Sequence, residues 1–102
     1  MNQEIKQKWV EALRSGKYEQ GQRQLRKGDK YCCLGVLCHV MGGRFNGVAQ
    51  WLPERYRIAA GLDKPNPIVS VTNEQGRSMS LAVLNDAGRP FTEIADIIEE
   101  QL

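Results

Sequence analysis

The stretch Tyr31-Cys32-Cys33-Leu34-Gly35-Val36-Leu37-Cys38-His39-Val40-Met41 is apolar nearly throughout, and its reading decides the fold. It is long for a strand and is followed at once by Gly42-Gly43, so it predicts a buried helix, with Asp29 placed to cap it. Its uncharged part, residues 31–40, is about half the roughly 20 residues that a membrane span needs, and it carries His39. No bilayer crossing is expected from it. Cys32, Cys33 and Cys38 lie too close together to staple distant parts of a fold, so they are expected to be reduced thiols packed in the core.

Toward the N-terminus, Asn2 is placed to cap a helix whose Ile5, Trp9, Val10, Ala12 and Leu13 share one face and which Gly16 ends. Residues 19–29 are polar and lack a helical stripe. Lys27-Gly28-Asp29-Lys30 is turn chemistry, which makes residues 21–26 a short edge strand or an extended loop. Toward the C-terminus, residues 44–67 hold three of the four prolines, and Pro53 suits the opening of a short helix through Gly61. Ile68-Val69-Ser70-Val71-Thr72 is β-branched and runs into the turn signal Asn73-Glu74-Gln75-Gly76, which together read as a strand in a hairpin. Ser80 is placed to cap a helix through Leu81, Val83 and Leu84 that stops at Gly88. After Pro90 a last helix turns Phe91, Ile94, Ile97, Ile98 and Leu102 toward the core. The expected fold is therefore one mainly α (α+β) domain of 102 residues: four to five short helices around one core, with a small β-hairpin or a two- to three-stranded sheet.

Composition points to a folded globular chain, with 41% hydrophobic and 25% charged residues. The opening Met1-Asn2-Gln3-Glu4-Ile5-Lys6 lacks the zones of a secretory signal, so a cytoplasmic location is expected. Net charge is only +2, yet residues 1–30 hold eight basic and four acidic side chains. Residues 61–102 reverse this, with Lys64, Arg77 and Arg89 against seven acids. Such polarity can steer a charged partner or a second copy of the chain, or simply lay two solvated faces side by side.

Cys32, Cys33, Cys38 and His39 are zinc-type ligands, but Cys33 and Cys38 point apart on a helix and no second ligand cluster completes a tetrahedron. No metal or other cofactor is expected. The single histidine, His39, follows Cys38 directly, and adjacent helical residues diverge, so a cysteine–histidine pair does not assemble. Neither a phosphate-cradling glycine loop nor a distinctive carboxylate pair is present, and the expectation is a protein without enzymatic activity. Residues 91–98 look like the first helix of a helix-turn-helix, but the segment is acidic and no recognition helix follows in the given sequence.

Two clusters remain as binding candidates. Trp51, Arg55, Tyr56 and Arg57 combine the aromatic and guanidinium groups that dominate interface hot spots and that clamp anionic nucleotides. Arg23, Arg26, Lys27 and Lys30, with Tyr31 for stacking, form a secondary basic site suited to nucleic acid.

Residues 8–16 (Lys-Trp-Val-Glu-Ala-Leu-Arg-Ser-Gly), residues 25–38 with their Cys-Cys-Leu-Gly-Val-Leu-Cys block, and Leu84-Asn85-Asp86-Ala87-Gly88 with residues 91–99 carry a resemblance. Together they resemble a family of small proteins encoded by bacteriophages and prophages. Members usually have aspartate after the last cysteine of the block, where this chain has His39. The resemblance implies a phage accessory protein in the host cytoplasm, a class that includes many inhibitors of bacterial defence, and it transfers no catalytic residue. The reading it favours is a non-enzymatic binder that occupies a host defence protein or sequesters an anionic nucleotide signal. The alternative is a small nucleic-acid-binding regulator using the basic N-terminal third.

Overall fold

In a computed structural model, which describes residues 1–71 and 77–102, the Asn2 side chain accepts the Ile5 N–H at 2.9 Å and opens α1 (Gln3–Arg14). Trp9, Val10 and Leu13 are the buried residues of α1. Trp9 is fully buried, and its indole N–H donates to the Cys33 carbonyl at 2.9 Å, which pins α1 to the start of α2 (Cys33–Val40).

The Cys-rich helix forms as expected and is buried from Cys33 through Cys38, but its start differs from the sequence expectation. Asp29 does not cap it. Gly28, at φ +60°, turns the chain so that β2 (Arg26–Lys27) pairs antiparallel with β3 (Lys30–Tyr31), and Asp29 is consumed in that turn. Cys32 is the cap instead, its Sγ accepting the Gly35 N–H at 3.4 Å. β1 (Glu19–Gln20) joins β3 in parallel, giving the order β1-β3-β2. The segment expected as strand or loop is thus a loop between β1 and β2, with strand structure only at its last residue, Arg26.

Within that loop Leu25 is fully buried. Its backbone lies directly on α2 at Gly35, where an added Cβ would stand 1.8 Å from the Leu25 carbonyl oxygen. Only a residue without a side chain allows this approach, which places the carbonyl to accept the Cys32 N–H at 3.1 Å.

Pro53 precedes α3 (Glu54–Ala60), which closes at Gly61 in the left-handed conformation, φ +71°. β4 (Ile68–Val71) pairs antiparallel with β5 (Arg77–Ser80), matching Ile68 with Ser80 and Val71 with Arg77. The expected turn at residues 73–76, and Thr72 before it, lie outside the described residues. Ser80 Oγ caps α4 (Leu81–Asp86) by accepting the Val83 N–H at 3.2 Å, and α5 (Phe91–Gln101) follows Pro90. Among the described residues there are five helices and two small sheets, the mainly α arrangement read from the sequence.

The core is the space where α1 lies against α2 and α5, and α4 against α2 and α5. Leu34, Leu37, Leu81, Leu84, Ile94 and Ile98 fill it. Arg14 crosses from α1 to α5, donating to Asp96 at 2.7 Å and Glu99 at 2.8 Å, so part of the charge polarity is satisfied internally. Among the described residues no helix is long and apolar enough to cross a membrane.

Asn85 of α4 is fully buried and serves as a hub. Its Oδ1 accepts the Gln20 amide at 3.0 Å and the Cys33 N–H at 3.1 Å, while Nδ2 donates to the Gly21 carbonyl at 2.7 Å. One carboxamide thereby ties α4, the end of β1 and the first turn of α2 together, supplying a partner for a helix-start N–H that has none within its helix.

The close approach at Gly35 yields a direct test. Gly35→Ala forces the Leu25 backbone off α2 and should destabilise the fold by about 3 kcal/mol, the upper end of the overpacking range, read by urea denaturation. A loss below about 1 kcal/mol would show that the two backbones are not in contact.

Candidate functional site

Backbone bonds lay the loop at residues 47–51 beside Leu25 and Arg26 and tie its far end to Pro65. Leu25 N–H donates to the Ala49 carbonyl at 2.7 Å, Arg26 N–H to the Gly47 carbonyl at 3.0 Å, and Leu52 N–H to the Pro65 carbonyl at 3.0 Å. This arrangement opens a cleft of about 150 Å³ lined by Arg23, Gln24, Gln50, Trp51 and Asp86, with Cys32 and Ala82 completing the wall. Its lining comes from three separated parts of the sequence. Trp51 is 54% exposed, an unusual state for so large an aromatic surface, whereas Trp9 is sealed in the core.

Arg23 has φ +70°, the one non-glycine residue in the left-handed region among those described. A β-carbon makes that conformation costly. It is held by Asp86, whose Oδ1 accepts the Arg23 N–H at 2.9 Å and also the Asn85 amide at 3.3 Å. No other described residue takes the Arg23 guanidinium, Gln50 or the indole N–H of Trp51 in a hydrogen bond or ion pair. Gln24 donates its Nε2 to the Arg26 carbonyl at 2.8 Å, leaving Oε1 as an acceptor. The cleft thus presents a cation, an anion, two amides and an aromatic face.

The four residues nominated around Trp51 do not form one surface. Tyr56 is buried, and its hydroxyl donates to the Arg44 carbonyl at 2.9 Å. Arg55 donates to the same carbonyl and stands over the Tyr56 ring at 4.8 Å. Arg57 pairs with Glu54 and donates to the Leu62 carbonyl at 2.8 Å, bracing the end of α3. Trp51 lines the cleft apart from these three, in the company of Arg23 from the basic set.

The other basic residues sit on the β2–β3 hairpin. Arg26 donates to the Gly28 carbonyl at 2.8 Å and stands over Tyr31 at 5.6 Å; Lys30 lies 3.8 Å from Glu19; Lys27 is exposed. Tyr31 is half-buried in a cluster with Tyr18, ring centres 5.2 Å apart, and His39, 5.5 Å apart. Gln24, Gln50 and Asp86 were missed by the sequence reading. The only local hints are that Asp86 lies in the Leu84–Gly88 block that carries the resemblance and that Gln24 follows Arg23.

The chain belongs to the DUF8296 family. The model of that family, a domain of unknown function, matches residues 1–102. No curated protein and no solved structure matches the chain.

Thiol chemistry in this DUF8296 domain is suppressed by position. Cys38 turns into the core while its neighbour His39 is exposed and shares a hydrogen bond with the Tyr18 hydroxyl through Nδ1. Burial pushes the Cys38 thiol up to about 12 and the Cys33 thiol well above its ordinary value; the Cys32 thiol also rises, for the same reason. Thiolate is the reactive form, so these groups are poor nucleophiles near neutral pH. In the native protein a soluble disulfide reagent at pH 8 should label none of the three thiols rapidly, and after denaturation all three. Fast labelling of the native protein would contradict the buried arrangement.

The strained backbone gives a second measurement. Arg23→Gly keeps the left-handed turn without a side chain, so folding stability should be unchanged or raised by up to about 1 kcal/mol. A loss of more than about 1 kcal/mol in urea denaturation would mean that the guanidinium holds the loop together.

Proposed function

We propose that this protein is a non-enzymatic binding protein, a phage accessory product that occupies a component of a bacterial defence system with the Trp51–Arg23 cleft. One observation carries the reading: a half-exposed tryptophan and an arginine with an uncommitted guanidinium, held on a strained backbone, converge on the same cleft. Residues in strained conformations cluster at functional sites because the surrounding structure has to hold them there. Tryptophan and arginine are also the side chains most enriched among those that dominate binding energy. The phage assignment rests on the resemblance of the Cys-Cys-Leu-Gly-Val-Leu-Cys block and the flanking segments, and the host cytoplasm is the matching location.

A second reading, a nucleic-acid-binding regulator, draws support from the exposed side chains of Arg23, Arg26 and Lys27 near one hairpin. It is weakened by the commitments of that set. Lys30 is close to Glu19, and Arg26 is already bonded to Gly28 and placed over Tyr31.

Expression of the chain in a panel of bacterial strains, each armed with one defence system and challenged with phage, tests the first reading. The wild-type chain should restore plaque formation on at least one strain, and Trp51→Ala should abolish the effect at equal protein level. Full protection by Trp51→Ala, or no effect on any strain, would remove the reading. Binding to a random DNA duplex that weakens steeply with added salt would favour the second reading instead.

A further inference from the structure

The lining of the cleft is chemically mixed, and that mixture narrows what fits. An acidic peptide would meet Asp86, and a basic one would meet Arg23 with Arg26 and Lys27 nearby in the chain. A ligand that carries hydrogen-bond donors at one end and negative charge at the other satisfies both. The volume, about 150 Å³, is well below that of an enclosing pocket of roughly 300–1,000 Å³, so a ligand would be held partly in the open.

We propose that the cleft binds a nucleotide, with the base stacked on Trp51 and the phosphate held by Arg23. This rests on the reading that the cleft is the protein's binding surface. Tyr18, Tyr31, His39, Phe45 and Tyr56 each pack against another ring, whereas the indole of Trp51 meets no ring among the described residues and stands half-exposed at the cleft. Stacking on such a face tolerates any base, so selectivity falls to the base edge.

Three groups are available to read that edge. Asp86 keeps Oδ2 as an acceptor after Oδ1 has taken the Arg23 N–H and the Asn85 amide. Gln24 offers Oε1, and Gln50 offers a complete amide. The guanidinium of Arg23 matches a phosphate with two parallel donors. Its left-handed backbone gives the side chain a direction from the loop that the ordinary extended or helical conformations would not give.

Intrinsic tryptophan fluorescence and calorimetry of the full chain decide the matter, using 5′-GMP, AMP, CMP and UMP, the corresponding nucleosides, and inorganic phosphate. At least one mononucleotide should quench emission saturably, because Trp51 is accessible and Trp9 is not. Its nucleoside should bind at least about tenfold more weakly, a difference of roughly 1.4 kcal/mol. Arg23→Gly should weaken the mononucleotide by at least about tenfold and leave the nucleoside unaffected, while Trp51→Ala should remove the calorimetric signal of both. Phosphate alone should not quench.

Absence of saturable binding by all four mononucleotides up to millimolar concentration overturns the proposal, as does equal binding by wild type and Arg23→Gly. If that happens while Trp51→Ala still loses protection against defence, the cleft remains the binding surface and only the ligand class is wrong. If Trp51→Ala retains protection while mononucleotides do bind, the nucleotide site stands and the defence reading falls.

Discussion

The carboxamide of Asn85 is the constraint on which the arrangement depends. A fully buried polar side chain costs free energy unless its hydrogen bonds are made, and this one makes them to three different parts of the chain. Its acceptor serves the first turn of α2 and the Gln20 side chain, and its donor serves the Gly21 carbonyl. Gln20 in turn donates to the Arg89 carbonyl at 2.8 Å, so the start of the loop is bonded on both sides of the link between α4 and α5. From that anchor the loop runs to Leu25, which beds on Gly35 and passes its N–H to Ala49. The position of Trp51 therefore follows, through a short series of backbone contacts, from an amide in the interior.

The same series explains why the cleft has mixed chemistry. Asp86 follows Asn85 directly, so the residue that anchors the loop from inside carries with it a carboxylate facing the Arg23 N–H. The carboxylate stabilises a left-handed arginine, and the arginine then brings positive charge beside it. Elsewhere opposite charges are joined at the surface, as between Arg14 and the α5 acids or between Arg89 and Glu93 at 2.8 Å. At the cleft no ion pair joins the Arg23 guanidinium to Asp86 among the described residues; their link runs through the backbone. Both charges are left with capacity for an outside molecule.

The helices were largely legible in the sequence because their signals are local. Asn2 and Ser80 cap as their side chains suggest, Gly61 closes α3, and the apolar periods of α1 and α5 select their buried faces. What was not legible depends on contacts between distant segments. Asp29 was the reasonable cap by composition, but pairing of Lys30 and Tyr31 with Arg26 and Lys27 pulls it into a turn and passes the role to a thiol. Leu25 stands alone among polar neighbours, so no periodicity marks it as core; only the bare backbone at Gly35 makes room for it. The lining of the cleft was not legible as one group. Trp51 and Arg23 were both singled out, yet in separate groups, because nothing along the chain says that residues 23 and 51 meet. The resemblance to phage-encoded proteins was carried by the helix-forming blocks, which build the frame and contribute only Cys32 and Asp86 to the cleft.

The division between frame and cleft has a physical basis. The bonds that hold residues 21–26 and 47–52 in place are made by backbone groups and by the side chains of Asn85, Asp86, Gln24, Arg26 and Asn46. Arg23, Gln50 and Trp51 contribute no side-chain hydrogen bond to that frame among the described residues, so their chemistry is free to be set by what they contact outside it. A side chain that supports nothing, on a backbone that disfavours it, reduces stability without structural return. Arg23 fits that description, and it lines the same cleft as the half-exposed indole of Trp51.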